Sequence, residues 1–241
     1  MSLTVIVPVK DEENIIESTL ESLGNSWLKE IDYELLIIDD FSNDNTLKKI
    51  LNIKKTNSNI KILNNKKSGL GSAISIGIEN STKEFLAIFM ADMSDSLIDL
   101  KKYYELILQD NKLDAVLGSR FISGSKVVDY PKFKYLVNRI ANNIISLIFI
   151  SRYNDYTNAF KIYKRSVLLK LFPLVSENFN IFLELPLKII SRKYNYKIIA
   201  ISWQNRNKGK SKFNLKELGS KYIFTLLYCF FEKILLKKKY D

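Results

Sequence analysis

Up to about residue 120 the apolar positions fall into two alternating patterns. Short β-branched or aromatic runs at 3–7, 33–38, 60–63, 85–90 and 115–117 have the length and make-up of buried strands. Between them, segments 12–23, 45–51, 69–79 and 97–109 repeat apolar residues three and four apart, the spacing of a helix face. Strand and helix in alternation predict an α/β domain, Rossmann-like, with a mainly parallel central sheet covered by helices on both faces. Beyond residue 120 the rhythm changes. The pattern predicts loop and then helix over 127–139, an apolar helix over 140–150, extended chain over 155–163, a helix over 182–194 and a strand over 197–203. The last apolar stretch, 222–231, runs into Glu232-Lys-Ile-Leu-Leu-Lys-Lys-Lys239. The simplest division is a main domain over 1–220 and an amphipathic C-terminal helix over 221–241.

Several of the expected strands end in acid. The run from Phe85 closes on Asp92-Met-Ser-Asp95, the run from Tyr33 on Asp39-Asp40, and the first strand is followed by Asp11-Glu12-Glu13. In a parallel sheet all three clusters lie at one edge, where open α/β sheets bind ligands. Acids also belong in the first turns of helices, where the dipole favours them, and that reading suits at least two of Asp11, Glu12 and Glu13. Asp92 or Asp95 could likewise cap the helix that follows. Alternatively, two carboxylates three residues apart with Ser94 between them suit a divalent cation that prefers oxygen ligands. The Asp39-Asp40 doublet carries like-charge repulsion that a ribose or base donor would offset.

Composition narrows the chemistry. Among 241 residues there are 37 Lys and Arg against 26 Asp and Glu, a net charge of +11, so a phosphate-bearing partner or membrane surface is compatible, as is plain compositional drift. No histidine is present, which removes imidazole bases, histidine-ligated zinc and Ser-His-Asp triads. The single Cys229 removes a disulfide framework and fits a reducing compartment. The opening residues lack a basic region and read as a strand rather than a leader, and no run reaches the length of a membrane span. No aromatic-basic module of a nucleic-acid binder is present.

Two glycine motifs fail on spacing. Gly69-Leu-Gly71 needs a third glycine where Ile74 stands, so a dinucleotide fingerprint is absent. Gly209-Lys-Ser211 needs a glycine where Gln204 stands, so it is no phosphate loop of the NTPase type. Basic residues able to meet phosphate are Arg120, Lys134, Arg139, Arg206, Lys210 and Lys212, the last three in a donor-rich loop.

Five stretches in order resemble family 2 glycosyltransferases: Val5-Ile-Val-Pro-Val-Lys-Asp-Glu-Glu-Asn14, Ile38-Asp-Asp-Phe-Ser-Asn-Asp-Asn-Thr46, Gly69-Leu-Gly-Ser-Ala73, Ala91-Asp-Met-Ser-Asp95 and Gly118-Ser-Arg120. Asp155-Tyr-Thr-Asn-Ala-Phe160 and the loop 206–212 are similar to the dolichyl-phosphate (polyprenyl-phosphate) mannosyltransferase subgroup. The resemblance covers roughly residues 3–212 and implies a nucleotide-sugar domain, a GDP- or UDP-hexose donor, a Mg²⁺ or Mn²⁺ cofactor, a polyprenyl phosphate acceptor and peripheral work at the cytoplasmic face of a membrane. It implies Pro8, Asp11, Glu12, Asp39, Asp40 and Gly69 on the nucleotide-sugar side, and Asp92 with Ser94 or Asp95 at the metal. It implies Asp92, Asp95 and Arg120 in catalysis, and Arg120, Lys134, Asn138, Arg206, Ser211 and Lys212 on donor and acceptor phosphates.

The chain departs from the family pattern at five places. Met90 takes the first carboxylate of the Asp-x-Asp motif, and Lys10-Asp11 replaces an aromatic-Asn pair. Lys134 and Asn138 stand where the subgroup often has Arg and Ser, and Ala159 replaces a glycine. A saccharide hydroxyl acceptor, which would need a carboxylate base, and nucleotide-sugar binding without turnover remain open alternatives.

Overall fold

The computed structural model describes residues 1–205 and 215–235. Strands β1 (Ser2–Val9), β2 (Asp32–Asp39), β3 (Ile60–Asn64) and β4 (Phe85–Ile88) are joined by helices α1 (Ile16–Gly24), α2 (Thr46–Lys54) and α3 (Leu70–Asn80). Then follow α4 (Leu97–Gln109), β5 (Ala115–Ser119), a short strand β6 (Lys126–Val128) and α5 (Lys132–Phe149). The remainder comprises β7 (Lys161–Lys164), α6 (Arg165–Lys170), α7 (Ile181–Ser191), β8 (Tyr196–Ala200), β9 (Ser202–Gln204) and α8 (Leu215–Leu235).

Seven strands form one sheet in the order β3-β2-β1-β4-β7-β5-β8, parallel except for β7. β6 and β9 pair separately as a small parallel ribbon. The strands are buried on both faces, so their side chains alternate between two cores. Ile6, Leu36, Ile38, Leu86 and Ile88 point into one core with α3, α5, α7 and α8. Val5, Val7, Leu35, Ile37 and Ala87 point into the other with α1 and α4.

The expected sheet and flanking helices are present, with local differences. Helix α1 begins at Ile16, not at residue 12, so Asp11, Glu12 and Glu13 precede it rather than occupy its first turn. The two helices expected over 127–150 are one, α5, preceded by strand β6. Segment 155–163 is extended only from Lys161, and the strand expected over 197–203 breaks at Ile201 into β8 and β9, which join different sheets. Helix α8 is continuous from Leu215 through the position of the expected boundary at 221.

Candidate active site

After β1 the chain moves outward to β2 and β3, then returns to β4 on the other side of β1. This reversal opens a crevice beyond the carboxyl ends of β1 and β4. The loops there carry Lys10-Asp11, Asp39-Asp40, Asp92–Asp95 and, after β5, Arg120. Because β7 runs against its neighbours, its first residue Lys161 and the preceding segment from Asp155 come to the same edge. In three of these loops a non-glycine residue adopts the left-handed region: Asp11 (φ 49°), Phe41 (φ 58°) and Met93 (φ 55°). Such conformers are held against a local energetic preference and concentrate at functional edges.

On the β1–β2 side the polar groups satisfy one another. Asp11 Oδ1 accepts from Asn43 N–H (2.8 Å), and the Asp11 N–H donates to Ser42 Oγ (3.0 Å). The Glu12 N–H donates to Thr46 Oγ1 (2.8 Å), and Glu13 Oε2 accepts from the Asn45 N–H (3.0 Å). Asp44 lies in this clamp. Burial tends to raise its pKa, but hydrogen bonds from Thr46 and from the Glu13 N–H outweigh it, leaving the carboxyl below its usual range. Asp40 Oδ1 accepts from Asn65 Nδ2 (2.7 Å) and the Gly69 N–H (2.9 Å), with Lys10 Nζ 3.6 Å from Oδ2. Asp40 thus fastens the loop before α3 to β2. Gly69, at φ 137°, also sits where a Cβ would meet the Glu177 carbonyl oxygen, so only glycine fits. Asp39 is different: Oδ2 accepts from the Ser42 N–H (3.3 Å), while Oδ1 is buried and has no hydrogen-bond partner among the described residues. Pro8 lies in β1, paired with Ile38.

The β4 loop supplies the second group. Asp92 Oδ1 accepts from the Ser94 N–H (3.1 Å), and Ser94 is itself buried, its carbonyl accepting from Gln204 N–H (3.0 Å). Asp95 is 5% exposed, its backbone bridged to Trp203, and its Oδ1 too has no partner among the described residues. Burial and then the nearby Asp92 charge push its pKa up to about 7, against the opposing pull of Arg120 and Lys161. The helix cap is Ser96, whose side chain accepts from the Ile98 N–H, so neither Asp92 nor Asp95 serves in that role.

Arg120 is fixed from below. Its Nε and Nη2 donate to Asp155 Oδ2 and Oδ1 (2.9 and 2.7 Å), and its backbone N–H also reaches Oδ2 (2.9 Å). Burial works against the guanidinium charge, but Asp155 prevails and raises its pKa. The rings of Phe121, Tyr130 and Trp203 surround it, 5.3, 5.5 and 5.7 Å from its Cζ to their centroids. Lys161 is 1% exposed, and burial pushes its pKa down to about 7 while Asp155 and Asp95 pull the other way. Asn138 donates to the Tyr130 hydroxyl (3.0 Å) and Thr157 Oγ1 (3.1 Å), which ties α5 to this corner. Lys134 lies exposed on the first turn of α5. Arg206, Ser211 and Lys212 lie outside the described residues.

The structure therefore brings Asp39, Asp40, Asp92, Asp95 and Arg120 to one sheet edge and adds Asp155, Lys161, Tyr130 and Trp203. Asp155 stood in a motif without a role. Lys161 opens the short strand Lys-Ile-Tyr-Lys164, and only its burial distinguishes it from the lysine that closes the strand.

The sequence model of glycosyl transferase family 2 matches residues 4–172. A dolichol-phosphate mannosyltransferase from Pyrococcus furiosus is 26% identical over 223 residues, 90% of this chain and 61% of that protein. A dolichyl-phosphate beta-glucosyltransferase from Dictyostelium discoideum is 26% identical over 220 residues, 83% of this chain and 66% of that protein. The chain thus spans somewhat less than two thirds of these relatives' length. Glucosyl-3-phosphoglycerate synthase from Mycobacterium tuberculosis, solved with UDP, shares the fold with a TM-score of 0.72 at 16% identity, covering 95% of this chain and 80% of that one. Another of its structures holds Mn²⁺, UDP-glucose and phosphoglyceric acid, with a TM-score of 0.71 at 16% identity over 95% of this chain and 79% of that one.

Proposed function

The chain belongs to glycosyl transferase family 2, and from that premise we propose an inverting transfer of a hexose, mannose or glucose, from GDP- or UDP-sugar to a polyprenyl phosphate. The observation that carries this reading is the buried Asp95, whose Oδ1 has no partner among the described residues, beside Asp92 at the same sheet edge as the clamped Arg120. Two carboxylates and a buried cation at one mouth suit a substrate that carries both a diphosphate and a metal.

The fit to a divalent cation rests on Asp92 and Asp95. Among the described residues no group of three His, Cys, Asp or Glu could hold a metal. Mg²⁺ nevertheless binds commonly through one or two carboxylates plus substrate phosphates. Burial first and the Asp92 charge second hold the Asp95 pKa up, and a cation there would offset both. When bound, it supplies charge neutralisation for the departing diphosphate.

The chain's own groups do the rest. Asp39 Oδ1, which has no partner among the described residues, would accept from a ribose hydroxyl or base N–H. Asp40 acts through Gly69 by holding the loop that borders the donor pocket. Arg120, pre-aimed by Asp155, would bind phosphate oxygens without first ordering its side chain. The acceptor phosphate is mostly ionised at neutral pH, its second pKa being about 6. Its oxygen attacks the anomeric carbon as the bond to the diphosphate breaks, so no side chain need take a proton. That is consistent with a chain lacking histidine. Such an enzyme works peripherally at the cytoplasmic face of the membrane that holds its acceptor.

The test is transfer of radiolabel from GDP-mannose, GDP-glucose and UDP-glucose to a short-chain prenyl phosphate with Mg²⁺ or Mn²⁺. Label should move into the organic phase with one donor, and Asp92→Asn should lower the rate about a hundredfold or more. Label that moves only to added saccharide, in the aqueous phase, would replace the lipid acceptor with a hydroxyl one and give Asp95 the part of base.

A further inference from the structure

Helix α3 begins without a side-chain cap, its N-cap being Gly69. The first N–H groups of a helix need acceptors from outside it. Here the acceptor comes from the loop between α6 and α7. The Glu177 carbonyl accepts from the Gly71 N–H (2.9 Å) and from the Ser72 N–H (3.3 Å). The approach is so close that a Cβ on Gly71 would lie 2.2 Å from the Ser176 carbonyl oxygen. A helix end that would otherwise attract an anion is thus covered by the protein's own backbone.

A carboxylate holds that loop in turn. Glu184, on α7, is wholly buried. Its Oε1 accepts from the Val175 N–H (2.9 Å) and its Oε2 from the Ser176 N–H (2.8 Å), immediately before Glu177. Lys188, one turn on and equally buried, lies 2.8 Å from Glu184 Oε1 and donates to the Leu171 carbonyl (3.0 Å). Asn180 Nδ2 donates to Ser176 Oγ and to Thr225 Oγ1 of α8, both at 2.9 Å. On the other side of the glycines stands the donor edge. The Gly69 N–H donates to Asp40 Oδ1 (2.9 Å). Asn65 links the same carboxylate to α3, donating to Asp40 Oδ1 (2.7 Å) and accepting from Ser72 Oγ (2.9 Å).

We propose that Glu184 is a positioning residue for the nucleotide-sugar donor, acting through the 175–177 loop and the glycines at the head of α3 on Asp40 and the adjacent Asp39. Resting on the nucleotide-sugar reading, this makes the shape of the donor side depend on a carboxylate buried in α7. Glutamine at 184 would keep the size but not the pattern. Its amide offers one acceptor oxygen, and its NH₂ opposes one of the two backbone N–H groups. A buried N–H left without an acceptor is costly, so the loop shifts to find another. Glu177 moves with it, and the seat of Gly69 and Gly71 changes. An ion pair that served the core alone would lower stability and leave the affinity of folded molecules as it was.

The test is binding of UDP and GDP to the full chain by calorimetry with Mg²⁺, alongside hydrogen exchange. Glu184→Gln should raise the Kd of whichever nucleotide the wild type binds about tenfold. In the transfer assay the donor KM should rise by a similar factor, while kcat at saturating donor and the acceptor KM stay unchanged. The Gly71 and Ser72 amides should exchange faster, with those of β1 and β2 unaltered. If Glu184→Gln does not fold, Glu184→Asp keeps the charge beside Lys188, withdraws the carboxylate from the loop and gives a smaller rise in a folded chain. Gly71→Ala pushes on the same seat from the other side, so the double variant should bind about as weakly as the weaker single one. Folded Glu184 variants with the wild-type Kd overturn the proposal, as do effects of the two sites that simply add. Wild type that binds neither nucleotide sinks the donor reading itself, a failure visible before any variant is made.

Discussion

Asp40 and Asp155 both precede the crevice on loops at one sheet edge, yet they belong to regions that handle charge in different ways. Asp40 sits among neighbours in the β1–β3 region, where loop amides, Asn65 and the half-exposed Lys10 share its charge. Asp155 lies in the β5–β9 region, wholly buried, with its two oxygens given to one guanidinium. The first region is a mesh of short hydrogen bonds between adjacent loops, in which no single member is critical. The second holds Arg120, Asp155, Lys161 and Asp95 buried together, and there Arg120 and Asp155 depend on each other. Removing a partner there leaves an uncompensated charge, and the penalty is correspondingly large.

That contrast can be broken most directly at Asp155. Asp155→Ala should destabilise the chain by about 3–5 kcal/mol in chemical denaturation. A loss below about 1 kcal/mol would mean that Arg120 is hydrated and that the two regions do not differ. Asp95 comes next. A carboxyl whose folded-state pKa is raised to about 7 from 3.8 holds its proton more tightly when folded. Its contribution is therefore intact below about pH 3.8, is lost as pH rises through the interval, and is fully adverse above about 7. In the presence of chelator, Asp95→Asn should flatten the fall in melting temperature between those limits. Arg120 and Lys161 already hold that pKa down, so the slope is what burial and Asp92 leave after their pull. An identical slope in the variant would place the titration elsewhere. The smallest effect is expected at Asp40, where Asp40→Ala removes the bonds to Gly69 and Asn65. A loss of about 1–3 kcal/mol should appear in denaturation, along with weaker nucleotide binding by calorimetry. A cost as large as that of Asp155→Ala would erase the distinction.

The same contrast explains what could be read along the chain. The β1–β4 strands, their helices and the three acidic clusters are local patterns, with partners inside adjacent loops. Even there, contacts between loops escaped: Asp11, Glu12 and Glu13 look like a helix first turn but clamp the 42–46 segment instead. In the later half the informative pairs are remote. Arg120 and Asp155 are 35 residues apart, and Trp203 reaches Arg120 only because the chain breaks at Ile201 and moves into a second sheet. The apolar character of the 222–231 segment was visible, but the direction in which it faces was not. Amphipathicity gives a stripe, and the partner decides which side is buried.

The order of strands and helices, the mostly parallel sheet and the arrival of acids at one edge follow from the sequence alone, because periodicity and turn chemistry act over a few residues. Which of those acids is satisfied follows from tertiary structure. Among the described residues Asp40 is bonded and Asp39 Oδ1 is not, although the two are adjacent; Ser96 caps α4, and Asp95 is buried with no partner there for its Oδ1. Burial, and the presence or absence of a partner, depend on elements brought together from distant parts of the chain. Those two quantities set the charge state and the chemical availability of a carboxylate.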